Sequence, residues 1–592
     1  MFKPTQNRLD YSKKLEPPIG YETIYAIGTT YSLDLDTLLG ASIALGLSDS
    51  VDNELSKDPL YVLEALRKTS DKVLVFCEGG QIKAPDKSNA LYALLEKMVF
   101  QVNLKNRGSF HPKFWFVKYE DDDQHVIYRL MILSRNLTFD RSWDFAVTLD
   151  GYYSEEVQTK NKALSDFLIF LRESVKKATG NEENRKLLRD IAKELEHVAF
   201  SIDKKFKDYS FHPIGIPNYS ISNTGLFDSY HELFVISPFL SKTTVDQLKD
   251  QGLIRPDRTL ITRRDELSSL KPEHLKTYAV YAMKEIIIDG EDAISEGNDD
   301  DVERDLYQKQ DIHAKLYLKT KGANTDLFIG SLNASNQACV KNVEFLLKLK
   351  TKRGQLKVED LKNDIFGKEE KENPFERIMT LPEPQEEKDE KENLEKSIKD
   401  LVYLKTTGEC IKEDEQYLIK LVFKDFKDTD KKIFIRPLLG NREEPLKDEV
   451  LFEGLKINHL SMFFVVIIYG ETETLKRVVK IHLDGIPEER DRAIVNRIID
   501  NKERFLQYII FMLGEDYFLS FLENKTFNTN QLIFGMNKSV PAIYEKMLKT
   551  AATDPKKLDD IQRLMDMISD EKIIPNEFRE LYGACLKAVG KK

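Results

Sequence analysis

Two stretches decide the reading: HPKFWFVKYEDDDQHVIYRLMILSRNLTFDRSWD, from His111 to Asp144, and HAKLYLKTKGANTDLFIGSLNASNQACVKNVE, from His313 to Glu344. Each opens with His-x-Lys in an apolar run and then reaches Ser-x-Asn, at Ser134/Asn136 and at Ser331/Asn333. A single His-x-Lys carries no information. Two, each followed by Ser-x-Asn, predict a shared site.

The surroundings repeat as well. Residues 22–48 read as strand, turn and helix, and 72–78 as a short apolar strand. His111–Lys118 and 125–134 read as a strand pair joined at the aspartates 121–123. Residues 154–206 are helical in pattern. The order then restarts, with strand, turn and helix over 231–250, a strand in 257–267, and a strand pair around His313 and Ser331. That order predicts an α/β protein with an internal duplication.

Net charge is -11 over 592 residues, which excludes a global basic field for coating a polyanion. Phosphate binding then needs a local patch. Arg107, Arg135 and Arg141 near the first motif, with Arg263 and Arg264 in the second half, are the candidates for contacting nucleic acid. The four cysteines, Cys77, Cys339, Cys410 and Cys585, have no metal-ligand spacing and fit a reducing cytoplasm. The first residues lack the apolar core of a signal peptide, and no run is long enough to span a bilayer. No cofactor is implied.

In an extended chain residues i and i+2 share a face, so His111 and Lys113 project together, as do His313 and Lys315. If Asn136 and Asn333 lie opposite them, the halves bring two imidazoles, two ammonium groups and two carboxamides to one point. That set suits a phosphodiester. One neutral histidine attacks phosphorus, and the other protonates the leaving oxygen and then activates water. The lysines and asparagines hold the non-bridging oxygens, supplying charge a metal would otherwise bring. Asp144 and Glu344 are candidates to stand behind the imidazoles. Ser134 and Ser331 either bond phosphate or cap turns. The aromatics Phe110, Phe114, Trp115, Phe116 and Tyr119 are expected to alternate between core and surface, or to stack bases at the mouth of the cleft.

These motifs resemble those of the phospholipase D superfamily, over roughly residues 20–350. The usual aspartate four residues after the lysine is missing, replaced by Lys118 and Thr320. The His, Lys, Asn set without it looks like the tyrosyl-DNA phosphodiesterase branch and related bacterial nuclease-like proteins. The resemblance implies two phospholipase D-like α-β-α halves with mixed central sheets about a pseudo-twofold site, with His111 as nucleophile and His313 as general acid and base. The expected units are 1–206 and 207–368 for the halves, a charged linker at 369–399, a strand-rich accessory domain at 400–485, and a helical region at 486–592.

The expected function is a metal-independent phosphodiesterase. Nuclease or DNA-end-processing activity, in a setting that resembles bacterial restriction or phage defence, comes first. Phospholipid hydrolysis by the same site, and non-catalytic nucleic-acid binding by a degenerate one, are the alternatives. Residues 400–592 are expected to meet a protein partner, and a second copy of the chain is a further candidate partner.

Overall fold

A computed structural model describes residues 11–47, 58–139, 142–175, 181–284, 312–367, 373–382, 389–427, 432–513, 543–553 and 556–589. Its strands lie in four sheets. The first runs β4-β2-β1-β5-β6-β7-β8, from β1 (Tyr21–Thr30), β2 (Val73–Glu78), β4 (Val99–Val102), β5 (Phe114–Asp121), β6 (Val126–Leu133), β7 (Ala146–Tyr153) and β8 (Val198–Phe200). The second runs β16-β12-β11-β10-β13-β14-β15-β9, from β9 (Asp208–Ile214), β10 (Tyr230–Ile236), β11 (Gly252–Thr262), β12 (Ala279–Met283), β13 (Leu316–Lys321), β14 (Asn324–Gly330), β15 (Glu344–Lys352) and β16 (Phe375–Arg377). Both are mixed. In each, a central strand has a parallel neighbour on one side and an antiparallel run of four on the other.

The aromatic run of β5 shows why the first sheet sits in the interior. Phe114 and Phe116 face a core shared with the second sheet, where Phe114 lies 5.1 Å from Phe345. Trp115, Val117 and Tyr119 face the opposite way, into a core built with the helices at Leu35–Gly46 and Pro59–Thr69. The indole of Trp115 lies across Gly28 on β1, where a Cβ would come within 2.8 Å of the ring. The expected alternation between core and surface is therefore corrected. Phe110, Phe114, Trp115, Phe116 and Tyr119 are all buried, because the sheet is covered on both faces, and none is available to stack a base.

The third sheet, β21-β18-β17-β24, comprises β17 (Lys405–Glu413), β18 (Gln416–Lys424), β21 (Glu449–Leu455) and β24 (Leu483–Asp484). The fourth, β20-β19-β22-β23-β3, comprises β19 (Lys432–Pro437), β20 (Glu444–Pro445), β22 (Phe463–Tyr469) and β23 (Thr474–Lys480), and is completed by β3 (Ile82–Lys83). A strand from the first hundred residues thus closes a sheet from the last two hundred. Helices between residues 489 and 588 pack into the same core as the outer face of the first sheet, through Ile494, Phe505, Ile509, Leu558 and Phe578.

The charged stretch expected as a linker is corrected where it is described. Phe375–Arg377 is an edge strand, and Asp389–Val402 is a helix whose Leu394, Ile398 and Leu401 are buried against the third and fourth sheets. Apolar residues at helical spacing, sparse among lysines and glutamates, suffice to dock it. No described helix is long and apolar enough to cross a membrane.

Glu96 is almost wholly buried where the C-terminal region meets the first sheet. It accepts hydrogen bonds from Ser461 Oγ (2.7 Å), the Met462 amide (2.7 Å) and Arg490 Nη1 (2.6 Å). Removing one member of a buried pair strands the other charge. Arg490→Ala is expected to destabilise the protein by about 3–5 kcal/mol in denaturant unfolding.

Candidate active site

The site is assembled by two short backbone exchanges. Phe110 bridges Val343, through His111 N–H to Val343 O and Val343 N–H to Ser109 O, both 2.9 Å. Trp143 bridges Ile312, with His313 and Ala314 donating to Trp143 O at 3.0 and 2.9 Å. Val343 precedes Glu344 and Trp143 precedes Asp144. Each exchange therefore sets the carboxylate of one sequence motif beside the histidine of the other.

The His-x-Lys residues precede their strands, since β5 begins at Phe114 and β13 at Leu316. Ser134 and Asn136 follow the end of β6, and Ser331 and Asn333 that of β14. The strand boundaries expected from sequence move accordingly. The motif residues occupy the strand ends, where the side chains escape the ladders.

His111 Nδ1 lies 2.9 Å from Glu344 Oε2. Glu344 is fully buried, and it also accepts from Ser331 Oγ at 2.5 Å and Asn342 Nδ2 at 3.2 Å. A carboxylate there places the imidazole proton on Nδ1 and leaves the Nε2 lone pair free. His313 Nδ1 is 3.5 Å from Asp144 Oδ1, within ion-pair reach but without an aligned hydrogen bond. Asp144 instead accepts from Ser142 Oγ (2.6 Å) and Ser134 Oγ (2.9 Å). Both motif serines thus orient carboxylates, which favours neither of the expected roles.

Lys113 and Lys315 are buried, and each turns back onto its own histidine carbonyl: Nζ to His111 O at 3.1 Å, and Nζ to His313 O at 2.6 Å. Lys315 Nζ also lies 3.5 Å from Ser134 O in the other motif. Burial, with repulsion from Lys113 and Lys315, lowers His111 to about 4 against the pull of Glu344. Burial and Lys315 lower His313 to about 3, against Asp144. Each lysine acts on the histidine of the opposite motif, so the four groups share one electrostatic environment. Burial would raise Asp144, but His313, Ser142 and Lys315 outweigh it and lower its pKa.

The carboxamides differ. Asn136 Oδ1 accepts from the Ser32 amide at 3.4 Å, whereas Asn333 Oδ1 is buried without a hydrogen-bond partner among the described residues. A buried amide oxygen left unsatisfied favours a ligand that brings a donor or reorients the group.

The arginines divide. Arg107 pairs with Asp400 at 2.7 Å and Arg264 pairs with Glu376, so both are engaged by other elements. Arg135 Nη2 donates to Thr138 O at 2.9 Å, and Arg263 Nε donates at 2.8 Å to Ile312 O, one residue before His313. Arg141 lies outside the described residues. Lys118 bonds Glu194 on the helix Glu182–Leu195, and Thr320 bonds Glu232 on β10, both away from the motif ends of their strands.

Two aromatics that sequence reading missed flank the cluster. Tyr31 packs its ring 5.3 Å from the His111 ring, with Lys113 Nζ 5.9 Å from its centroid. Phe239, 39% exposed, carries the Arg263 guanidinium 4.9 Å above its ring. Both lie in the turn after a central strand, in the stretches TTYSLDLD and ISPFLSK. Their signal was that shared place, just after β1 and just after β10.

No family model matches the sequence, and no curated protein does. Among solved structures the chain is similar to yeast tyrosyl-DNA phosphodiesterase, at 13% identity and TM-score 0.34, over 59% of this chain and 89% of that one. It is also similar to polyphosphate kinase from Porphyromonas gingivalis, at 12% identity and TM-score 0.32, over 66% of this chain and 51% of that one. Likenesses of this size assign neither a residue nor an activity. What the chain offers in its own right is a buried pair of His-x-Lys motifs, each histidine facing a carboxylate from the other motif.

Proposed function

We propose that the chain is a phosphodiesterase acting on nucleic acid through a covalent phosphohistidine, with its two motif-bearing halves related by an approximate twofold. The observation that carries this is the reciprocal exchange, Glu344 on His111 and Asp144 toward His313, around two buried lysines.

His111 is the nucleophile in this reading, because Glu344 fixes its Nδ1–H and aims the Nε2 lone pair outward. Nε2 forms a bond to phosphorus as the bond to the leaving oxygen breaks. His313 as imidazolium gives that oxygen its proton. Water then attacks phosphorus, His313 takes the water proton, and the phosphorus–nitrogen bond breaks to restore His111. Lys113, Lys315, Asn136 and Asn333 hold the non-bridging oxygens as charge builds on them. Burial and Lys315 hold His313 down at about 3, so its protonation waits for a substrate anion beside it.

Nucleic acid is favoured as substrate by the aromatic and cationic flank. Tyr31 beside His111, and Phe239 under Arg263, offer π-faces of the kind that stack unpaired bases. A place in restriction or phage defence follows the resemblance together with the large accessory region, and residues 400–592 are the part of the chain that meets a protein partner in this reading.

Purified protein should cleave single-stranded oligonucleotides with EDTA present, and His111→Ala should lose at least ~10³-fold in kcat. Strict dependence on added magnesium, or cleavage of phosphatidylcholine vesicles but not of oligonucleotides, overturns the reading. Glu344→Gln should lower kcat by roughly 10²- to 10⁴-fold, more than Asp144→Asn, because only Glu344 makes a close bond to its histidine. Phe239→Ala should raise KM for an oligonucleotide about 5- to 150-fold, the equivalent of about 1–3 kcal/mol of stacking, while leaving cleavage of a base-free aryl phosphodiester unchanged.

A further inference from the structure

The loop that delivers His111 is held from two sides. On one side Asn106 Nδ2 donates to Lys341 O (2.9 Å) and the Ser109 amide donates to Asn342 Oδ1 (3.0 Å), which ties the loop to the chain leading into Glu344. A Cβ at Gly108 would fall 2.0 Å from Lys341 O, so this approach requires glycine. On the other side lies the Asp389–Val402 helix. Lys399 Nζ donates to Gly108 O (2.9 Å) and Ser109 Oγ (3.3 Å) and lies 3.4 Å from Glu78 Oε1. Glu78 is 3% exposed, and its other oxygen accepts the Phe110 amide at 2.7 Å, one residue before the nucleophile. Around this pair Arg107 bonds Asp400, Tyr403 OH donates to Leu104 O (2.7 Å), and Asn103 Nδ2 donates to Val402 O (2.9 Å).

We propose that Lys399 and Glu78 are positioning residues for the reaction: the helix clamps the 103–110 loop through them, so the C-terminal part of the chain sets the placement of His111 against Glu344. This rests on the phosphodiesterase reading above. Neither residue touches substrate. A buried carboxylate fixed at both oxygens holds the Phe110 amide, and the ammonium group that stabilises it also holds the two preceding residues. Shifting this loop shifts the imidazole, and displacements of about 1 Å at an attacking group cost rate rather than binding.

Glu78 adds a pH signature. Burial raises its carboxyl to about 7, against the Phe110 amide and Lys399, which lower it. The titratable groups around it are Lys399 from the helix, Tyr31 from the turn after β1, Tyr403 beyond the helix, and Cys77 beside it on β2. As pH falls through about 7 the carboxyl gains a proton, Lys399 loses its counter-charge, and the amide loses its anionic acceptor.

The test is steady-state cleavage of an oligonucleotide by the full chain. Lys399→Ala should lower kcat about 10- to 100-fold with KM nearly unchanged, and Lys399→Arg should recover part of it. The exposed neighbour Lys396→Ala should match the wild type. Wild-type kcat should fall as pH drops through about 7, and Glu78→Gln, slower at high pH, should lack that limb. A folded Lys399→Ala protein with wild-type kcat, or one altered only in KM, overturns the proposal. If wild type cleaves nothing, the functional reading fails separately, and the clamp is read from His111 imidazole resonances. They should move in Lys399→Ala but not in Lys396→Ala, and resonances unmoved in both overturn it.

Discussion

Everything in the site depends on two pairs of crossing backbone bonds. Residues 109–111 bond Val343, and residues 313–314 bond Trp143. These contacts are few and short, but they join segments that side-chain chemistry alone would not bring into register. The aromatic core between the first two sheets holds the crossing in place, with Phe114, Phe167 and Phe345 in mutual contact and Phe211 against Phe345. Each histidine then meets a carboxylate placed by the other motif. A change in one motif is therefore felt on the imidazole of the other.

The two carboxylates are held with different firmness, and the difference has chemical content. Glu344 is fully buried, with its two oxygens taken by a serine, an amide and an imidazole, which leaves it no freedom to turn. Asp144 is bound mainly by two serines and stands back from His313. In the proposed reaction, the nucleophile profits from a fixed tautomer and a fixed direction. A group that gives and takes a proton in one cycle profits from a looser counter-ion, since its charge must change twice.

The repeated motifs were legible because they combine residue types rare together, His-x-Lys and Ser-x-Asn, twice in the same order. Which carboxylate serves which histidine was not legible, because it depends on bonds such as Phe110 to Val343 that join positions far apart in sequence. The aromatic stripe Phe110–Tyr119 misled because it was read as having one wet face, whereas its continuous run Phe114–Val117 fits a strand covered on both faces, by the second sheet and by a helical layer. The helix at Asp389–Val402 was hidden by its charge: three apolar residues anchor it, and its lysines and glutamates read as a solvated tether. Arg107 and Arg264 looked like phosphate ligands until Asp400 and Glu376 accounted for them. Tyr31 and Phe239 carried no motif and emerged only from their place in the fold.

The strand Ile82–Lys83 pairs with Arg477 and Val478 at the edge of the fourth sheet. At roughly 5–20 residues per second on a ribosome, the about 390 residues between them take tens of seconds to emerge. Until then the N-terminal segment has an open edge, and the helix that grips Gly108 and Ser109 has no sheet to dock against. The nascent chain therefore carries the first histidine into solution well before the scaffold around its loop exists, and the synthesis of the strands between residues 405 and 484 is what completes it.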